Sequence, residues 1–190
     1  VIGRPLPVDK IVAAMPELVS TMNPLGTEAF SKAIMTTDTV PKVAVSEVGG
    51  VRMVAFAKGS GMIHPNMATM LSYVLTDAAV DVATLDKALR YAVDRSFHCM
   101  TVDGDTSTND TVTVLANGAS GVSPSPEAFT AQLTEVCQTL AKAIARDGEG
   151  ATKFVELTIE GAPSDDAARE IGRTIAKSPL VKTAIYGCDP

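Results

Sequence analysis

Segments with helically spaced apolar residues alternate with short β-branched runs along this chain, with no repeat, low-complexity linker or charge block between them. That alternation favours one α/β unit over two domains. The strongest helical face carries Leu85, Ala88, Leu89, Ala92, Val93 and Phe97. A second long one carries Phe129, Leu133, Val136, Cys137, Leu140 and Ile144, with Gly148 where a C-terminal cap belongs. A shorter helix is expected after Thr27, read as its N-cap, with Phe30, Ala33 and Ile34 on one face. Val43 and Val45 alternate with polar residues, Gly49-Gly50 supplies a turn, and Val51, Met53 and Ala55 alternate on the return run, which together read as a hairpin. Further strands are expected over Met70–Thr76 and Phe154–Glu160, and a closing helix after Ser164. Long helices with hairpin strands suggest stacked sheets covered by helices rather than a doubly wound parallel sheet.

At 190 residues the chain can bury about 70% of the surface its unfolded form exposes, enough for a real core. Apolar residues make up 46%, yet no run approaches the ~20 needed to span a bilayer. The net charge of −6 leaves no basic stripe to neutralise phosphates, which argues against nucleic acid or an anionic membrane surface and for a small-molecule ligand. Cys99, Cys137 and Cys188 are odd in number and unpaired in spacing, which fits a reducing compartment and suggests neither a disulfide framework nor structural zinc. Val1–Pro7 lacks an initiator methionine and Tyr186–Pro190 reads as a cut, so a fragment is expected.

The run from Lys58 to Ala68 contains two glycines and a proline, which break any regular element just before Thr69 and the strand that follows. A threonine that opens a strand after an irregular loop has the layout of a self-cleaving nucleophile. Its hydroxyl is a weak nucleophile and needs a base; breaking the peptide bond before it frees its own α-amine for that role. Such an amine titrates near ~7.7–8.0, so a useful fraction is neutral at cellular pH. The small Ala68 side chain leaves room for attack on its carbonyl. The plainer reading of the same pattern is a surface loop followed by a buried strand, with Thr69 a β-favouring residue.

Three blocks in order carry a resemblance that decides between these. The segment Lys58-Gly59-Ser60-Gly61-Met62-Ile63-His64-Pro65-Asn66-Met67-Ala68-Thr69-Met70 closely resembles the self-cleavage segment of the ornithine acetyltransferase (glutamate N-acetyltransferase) family. Ala33-Ile34-Met35-Thr36-Thr37-Asp38-Thr39 and Val102-Asp103-Gly104-Asp105-Thr106-Ser107-Thr108-Asn109-Asp110-Thr111 resemble two further family blocks, and the likeness runs from Val1 to Pro190. The resemblance implies an arginine-biosynthesis enzyme cut between Ala68 and Thr69. Thr69 would take acetyl from N-acetylornithine in a ping-pong cycle and pass it to glutamate. It implies substrate contacts from Thr36 (Thr37 is the nearby alternative), Lys58, Thr69 and Glu149. It also implies a four-layer α/β/β/α sandwich as one catalytic unit over 1–190, with the oxyanion-hole segment before Val1 and further substrate contacts beyond Pro190.

Each implied role suits its residue. Lys58 is a compact cation with three donors for an α-carboxylate, Glu149 can pair with an ammonium, and Thr36 offers a hydroxyl. Without the resemblance these would read as a strand-end lysine, a surface carboxylate and a turn threonine. The block from Asp103 to Asp110 fails as a calcium loop, because its sixth and twelfth positions are Thr108 and Val114 where glycine and a carboxylate are required. A turn in which Asp and Asn side chains cap their own backbone is expected instead. His64 and His98 form no obvious ligand pair; no metal and no cofactor are expected, with acetyl-CoA allowed only as a further acetyl donor. By the same resemblance the partners are the two chains from self-cleavage, an αβ heterodimer assembling to a heterotetramer, in the cytoplasm or the mitochondrial matrix. An amidase or aminopeptidase using the same threonine on water is the alternative enzyme reading, and a binding module with an inert loop the non-enzymatic one.

Overall fold

The computed structural model describes Gly3, residues 5–64 and residues 70–189. In chain order these form α1 (Val8–Ser20), α2 (Thr27–Ala33), β1 (Lys42–Val48), β2 (Val51–Lys58), β3 (Leu71–Thr76), α3 (Val82–Asp94), a 3-10 turn (Phe97–Cys99), β4 (Thr111–Ala116), α4 (Pro126–Arg146), α5 (Asp165–Ala176) and α6 (Pro179–Gly187). The strands make one mixed sheet in the order β1-β2-β3-β4. β1/β2 and β2/β3 are antiparallel and β3/β4 is parallel, joined by a crossover through α3. The α/β class expected from the sequence is observed.

Local chemistry accounts for the elements. Gly49 and Gly50 sit at φ 59° and 81°, the left-handed pair a two-residue hairpin turn requires, and Val48 faces Val51 across it. Asp81 caps α3 by accepting from the Thr84 N–H at 2.9 Å, and Ser125 caps α4 ahead of Pro126 at the first helical position. The apolar face of α4, Phe129, Leu133, Val136, Cys137, Leu140 and Ile144, lies against β1, β2 and α3, as its spacing predicts. Burial pushes the Cys137 thiol up to about 12, so it behaves as a small apolar core residue.

Several expectations are corrected. The hairpin is present, but Val43 and Val45 point away from the core, with Val45 74% exposed, while Lys42 and Ala44 take the buried positions. The register is set by a buried charge network described below, not by the valines. Thr27 opens α2 but does not cap it, since Gly26 holds the N-cap position without a side-chain bond. Gly148 is not left-handed; a Cβ there would lie 3.0 Å from Val102 Cγ1, so the absence of a side chain lets Val102 pack closely against it. Residues 154–160 form no strand, and none lies beside them among the described residues. α1 was not anticipated and buries no side chain.

The helix-bearing face of the sheet is the core. The opposite face presents Val43, Val45, Leu75 and Leu115, all exposed, and α2 covers part of it by setting Phe30 edge-on to Phe56 and Tyr73 at 4.8 and 5.6 Å. An apolar sheet face of this kind is what a stacked second sheet would bury.

Candidate functional site

Lys42 is the anchor from which the site is built. It is 2% exposed and its ammonium donates to Asp38 Oδ1 and Asp147 Oδ2, both at 2.6 Å. Asp38 also accepts from the N–H groups of Gly59 (2.6 Å) and Thr36 (3.1 Å). Burial would raise the Asp38 pKa, but the Gly59 N–H, the Lys42 cation and the Thr36 N–H together hold it below the ordinary value. Burial likewise works against ionised Asp147, and Lys42 with the Thr39 hydroxyl and N–H overcomes it. One lysine thereby ties three segments together: the Thr36–Thr39 turn, the start of the Gly-rich loop at Gly59, and the C-terminal end of α4.

The predicted substrate contacts ride on those three segments. Lys58 ends β2, and its Nζ donates to Thr36 Oγ1 at 3.2 Å. Glu149 follows Asp147 by two residues, and its N–H donates to the Ser60 carbonyl at 2.8 Å. Thr37 Oγ1 lies 3.3 Å from Ser60 Oγ, so the alternative threonine braces the loop while Thr36 touches the lysine. Lys58, Thr36 and Glu149 are therefore gathered around residues 58–61, and Ala68 and Thr69 fall outside the described residues. A cation, a hydroxyl and a carboxylate grouped in this way can meet a carboxylate and an ammonium on one ligand.

The block from Val102 to Thr111 has a role that its motif alone did not disclose. Asp103 accepts from the N–H groups of Met62 (2.6 Å), Ile63 (3.0 Å) and Asp105 (3.0 Å), the last being the expected self-capping turn. Val102 N–H donates to the Ile63 carbonyl at 2.7 Å, and Thr106 Oγ1 to the His64 carbonyl at 3.0 Å. These bonds hold Met62 at φ 57°, a left-handed conformation costly for a residue with a long side chain. Asp103 thus clamps the loop that leads to Ala68. Its oxygens are taken by backbone amides, and among the described residues no three His, Cys, Asp or Glu side chains converge as a metal site would need.

His64 Nδ1 lies 3.0 Å from Thr101 Oγ1, and burial, then Arg173 and Lys177, lower its pKa, which favours the neutral ring. His98 pairs through Nδ1 with Asp94 at 2.8 Å, while its buried Nε2 has no partner among the described residues. Asp110 was not singled out by sequence. It immediately precedes β4, and burial raises its carboxyl to about 7 against the opposing pull of the Met70 amide and the Lys58 charge. Glu149 also borders a groove of about 410 Å³ that runs past Lys153, Phe154 and Tyr186, but neither Lys58 nor Thr36 lines it.

Gly61 offers a clean test of the grouping. A Cβ there would fall 2.2 Å from Glu149 Oε2, the far end of a flexible side chain, and Gly61 has an ordinary backbone conformation. Gly61→Ala should change stability by less than about 1 kcal/mol while raising KM for an amino-acid substrate roughly tenfold, because only the Glu149 carboxylate must move. An unchanged KM would remove Glu149 from the site.

The ArgJ family model matches residues 1–190. The chain is 54% identical over 190 residues to the arginine biosynthesis bifunctional protein ArgJ of Thermus thermophilus, covering all of this chain and 49% of that protein. It is 50% identical over 207 residues to the mitochondrial ArgJ of Chaetomium globosum, again over its whole length and 43% of that protein. The crystal structure of ArgJ from Bacillus halodurans superposes with a TM-score of 0.61 at 47% identity, over 64% of this chain and 60% of that one. The chain spans about half the length of the curated relatives it matches. On the matching family model and this identity over its full length, the chain belongs to the ArgJ family.

Proposed function

We propose that the full-length protein containing this chain transfers acetyl from N-acetylornithine to glutamate through an acetyl-threonine on Thr69, after self-cleavage between Ala68 and Thr69. The observation that carries this reading is the convergence of Thr36, Lys58 and Glu149 on the segment leading to residue 69. Lys58 holds the substrate α-carboxylate, Glu149 an ammonium, and Thr36 donates or accepts at the same end. The Thr69 hydroxyl attacks the acetyl carbonyl while its α-amine takes the proton, ornithine leaves, and glutamate then takes the acetyl group. Both substrates carry an α-carboxylate on the carbon that bears the reacting nitrogen, so the Lys58 contact serves both halves of the cycle. Acetyl-CoA is a further donor the same intermediate would accept.

The apolar open face of the sheet supports a partner layer supplied by the rest of the protein, with the two products of cleavage forming an αβ unit that pairs to a heterotetramer in the cytoplasm or mitochondrial matrix. Such enclosure is also what the chemistry requires, since water reaching the acetyl-enzyme would hydrolyse it. The full-length protein should exchange labelled ornithine into N-acetylornithine with glutamate absent. No exchange, or release of acetate in place of acetylglutamate, would overturn the proposal.

A further inference from the structure

The buried Lys42 ammonium holds two carboxylates, and each carboxylate holds a different arm of the site. Asp38 accepts from the N–H groups of Thr36 and Gly59, so it places the threonine and the residue next to Lys58. Asp147 is the C-cap of α4. Its Oδ2 accepts from Lys42 Nζ at 2.6 Å and from the Thr39 N–H at 3.0 Å, and its Oδ1 accepts from the Thr39 hydroxyl. These donors lie 105 and 108 residues away in sequence, so this side chain pins the end of α4 to the Thr36–Thr39 turn. Glu149 follows two residues later, in a turn closed by the Ala151 N–H donating to the Gly148 carbonyl at 2.8 Å. Its own N–H donates to the Ser60 carbonyl, and its carboxylate lies over Gly61, where a Cβ would fall 2.2 Å from Oε2. The short arm carrying Glu149 is thus placed from two sides, by Asp147 at its start and by Ser60 at its middle.

The chemistry of the two substrates decides what this arm can discriminate. N-acetylornithine has one ammonium, at the far end of its side chain, because its α-nitrogen is acylated. Glutamate ends its side chain in a carboxylate, and its one amine must shed a proton before it can attack an acetyl group, so in the reacting state it offers Glu149 no ammonium. Both carry the α-carboxylate that Lys58 holds. Resting on the acetyl-transfer reading above, we propose that Asp147 is a positioning residue that sets specificity for the ammonium-bearing substrate, holding Glu149 where it meets the side-chain ammonium of N-acetylornithine. Asp147 acts through Glu149, and the Lys58 contact common to both substrates is held separately through Asp38. One misplaced charge-assisted hydrogen bond is enough to cost about tenfold in affinity.

The two halves of a ping-pong cycle give separate kcat/KM values, one for each substrate. The full-length protein is produced as two co-expressed chains, the second beginning at Thr69, so that no variant depends on self-cleavage. Asp147→Asn offers one acceptor oxygen where three donors converge and no charge for Lys42; it should lower kcat/KM for N-acetylornithine about 10–30-fold and leave that for glutamate within threefold. In a Glu149→Gln background the same substitution should add less than about twofold, because the group it positions is already disabled. Thr39→Val keeps both ion pairs of Lys42 and removes one donor to Asp147, so it should reproduce the asymmetry at about threefold with glutamate unchanged, and it decides the matter if Asp147→Asn does not fold. A purely structural role would lower both values together. Equal losses for the two substrates, no loss for N-acetylornithine, or a further tenfold loss on top of Glu149→Gln overturns the proposal. A wild type that transfers no acetyl from N-acetylornithine sinks the transfer reading itself, and that failure shows before any variant is compared.

Discussion

Lys42→Met in the full-length protein should lower the unfolding free energy by about 3–5 kcal/mol, read as a reduced urea midpoint with an unchanged slope. The side chains of Lys42 and Asp38 have no exposed area and that of Asp147 has 6%, so removing the ammonium leaves two carboxylates buried without a counter-ion. Methionine fills nearly the same volume, which isolates the charge from any cavity effect. The pH dependence gives the prediction its sign. In the wild type Asp38 and Asp147 both have lowered pKa values, so their contribution is present at neutral pH and is lost as pH falls below about 4. In Lys42→Met burial is no longer opposed by the cation and the carboxyl values rise, so that variant should gain stability as pH falls from 7 toward 5. A loss of less than about 1 kcal/mol at pH 7, or parallel pH profiles, would show that the network is not what holds the three segments.

That network also explains which parts of the molecule were legible in the sequence. α3 and α4 have wide apolar faces whose spacing alone fixes their existence and their buried side, and both are observed with those faces inward. The hairpin was readable from Gly49-Gly50 and the flanking alternation. Its polarity was not, because the inward position of β1 is held by Lys42, a residue that pattern reasoning assigns to solvent, while Val43 and Val45 are left on the open face. Pairing with Asp38 and Asp147, 4 and 105 residues away, inverts the ordinary preference, and an ion pair of that separation leaves no periodic trace. The strand expected at Phe154–Glu160 fails for a related reason, since a strand is defined by its neighbour and sequence period does not supply one.

The candidate site divides along similar lines. Thr36, Lys58 and Glu149 came from family resemblance and not from their own sequence context, each being unremarkable by itself; the structure places them on three segments joined by Lys42, Asp38 and Asp147. Asp103 and Asp110 lay in a block recognised only as a signature. What separates them is burial and partner, a clamp on Met62 and Ile63 for one and, for the other, a buried carboxyl beside β3 with no hydrogen-bond partner among the described residues, and neither property can be read from residue type.

Thr69→Ala should leave the full-length chain uncleaved and reduce acetyl transfer by about 10⁴–10⁶-fold. Alanine keeps the backbone and removes the side-chain oxygen, which in the proposed mechanism both attacks the Ala68 carbonyl and later carries the acetyl group. The two losses have different causes and can be separated. In the single-chain form, intact-mass analysis reports cleavage; in the two-chain form, where an α-amine is present from the start, only acyl transfer is at stake. Loss in the second form assigns the oxygen to catalysis, not merely to maturation. Thr69→Ser, which retains the hydroxyl without its methyl group, should be cleaved more slowly and keep measurable transfer, since the nucleophile survives and only its rotamer restriction is relaxed. A cleaved, active Thr69→Ala protein would leave Lys58, Thr36 and Glu149 as a substrate cradle serving some other nucleophile, and the acyl-threonine mechanism would have to be abandoned.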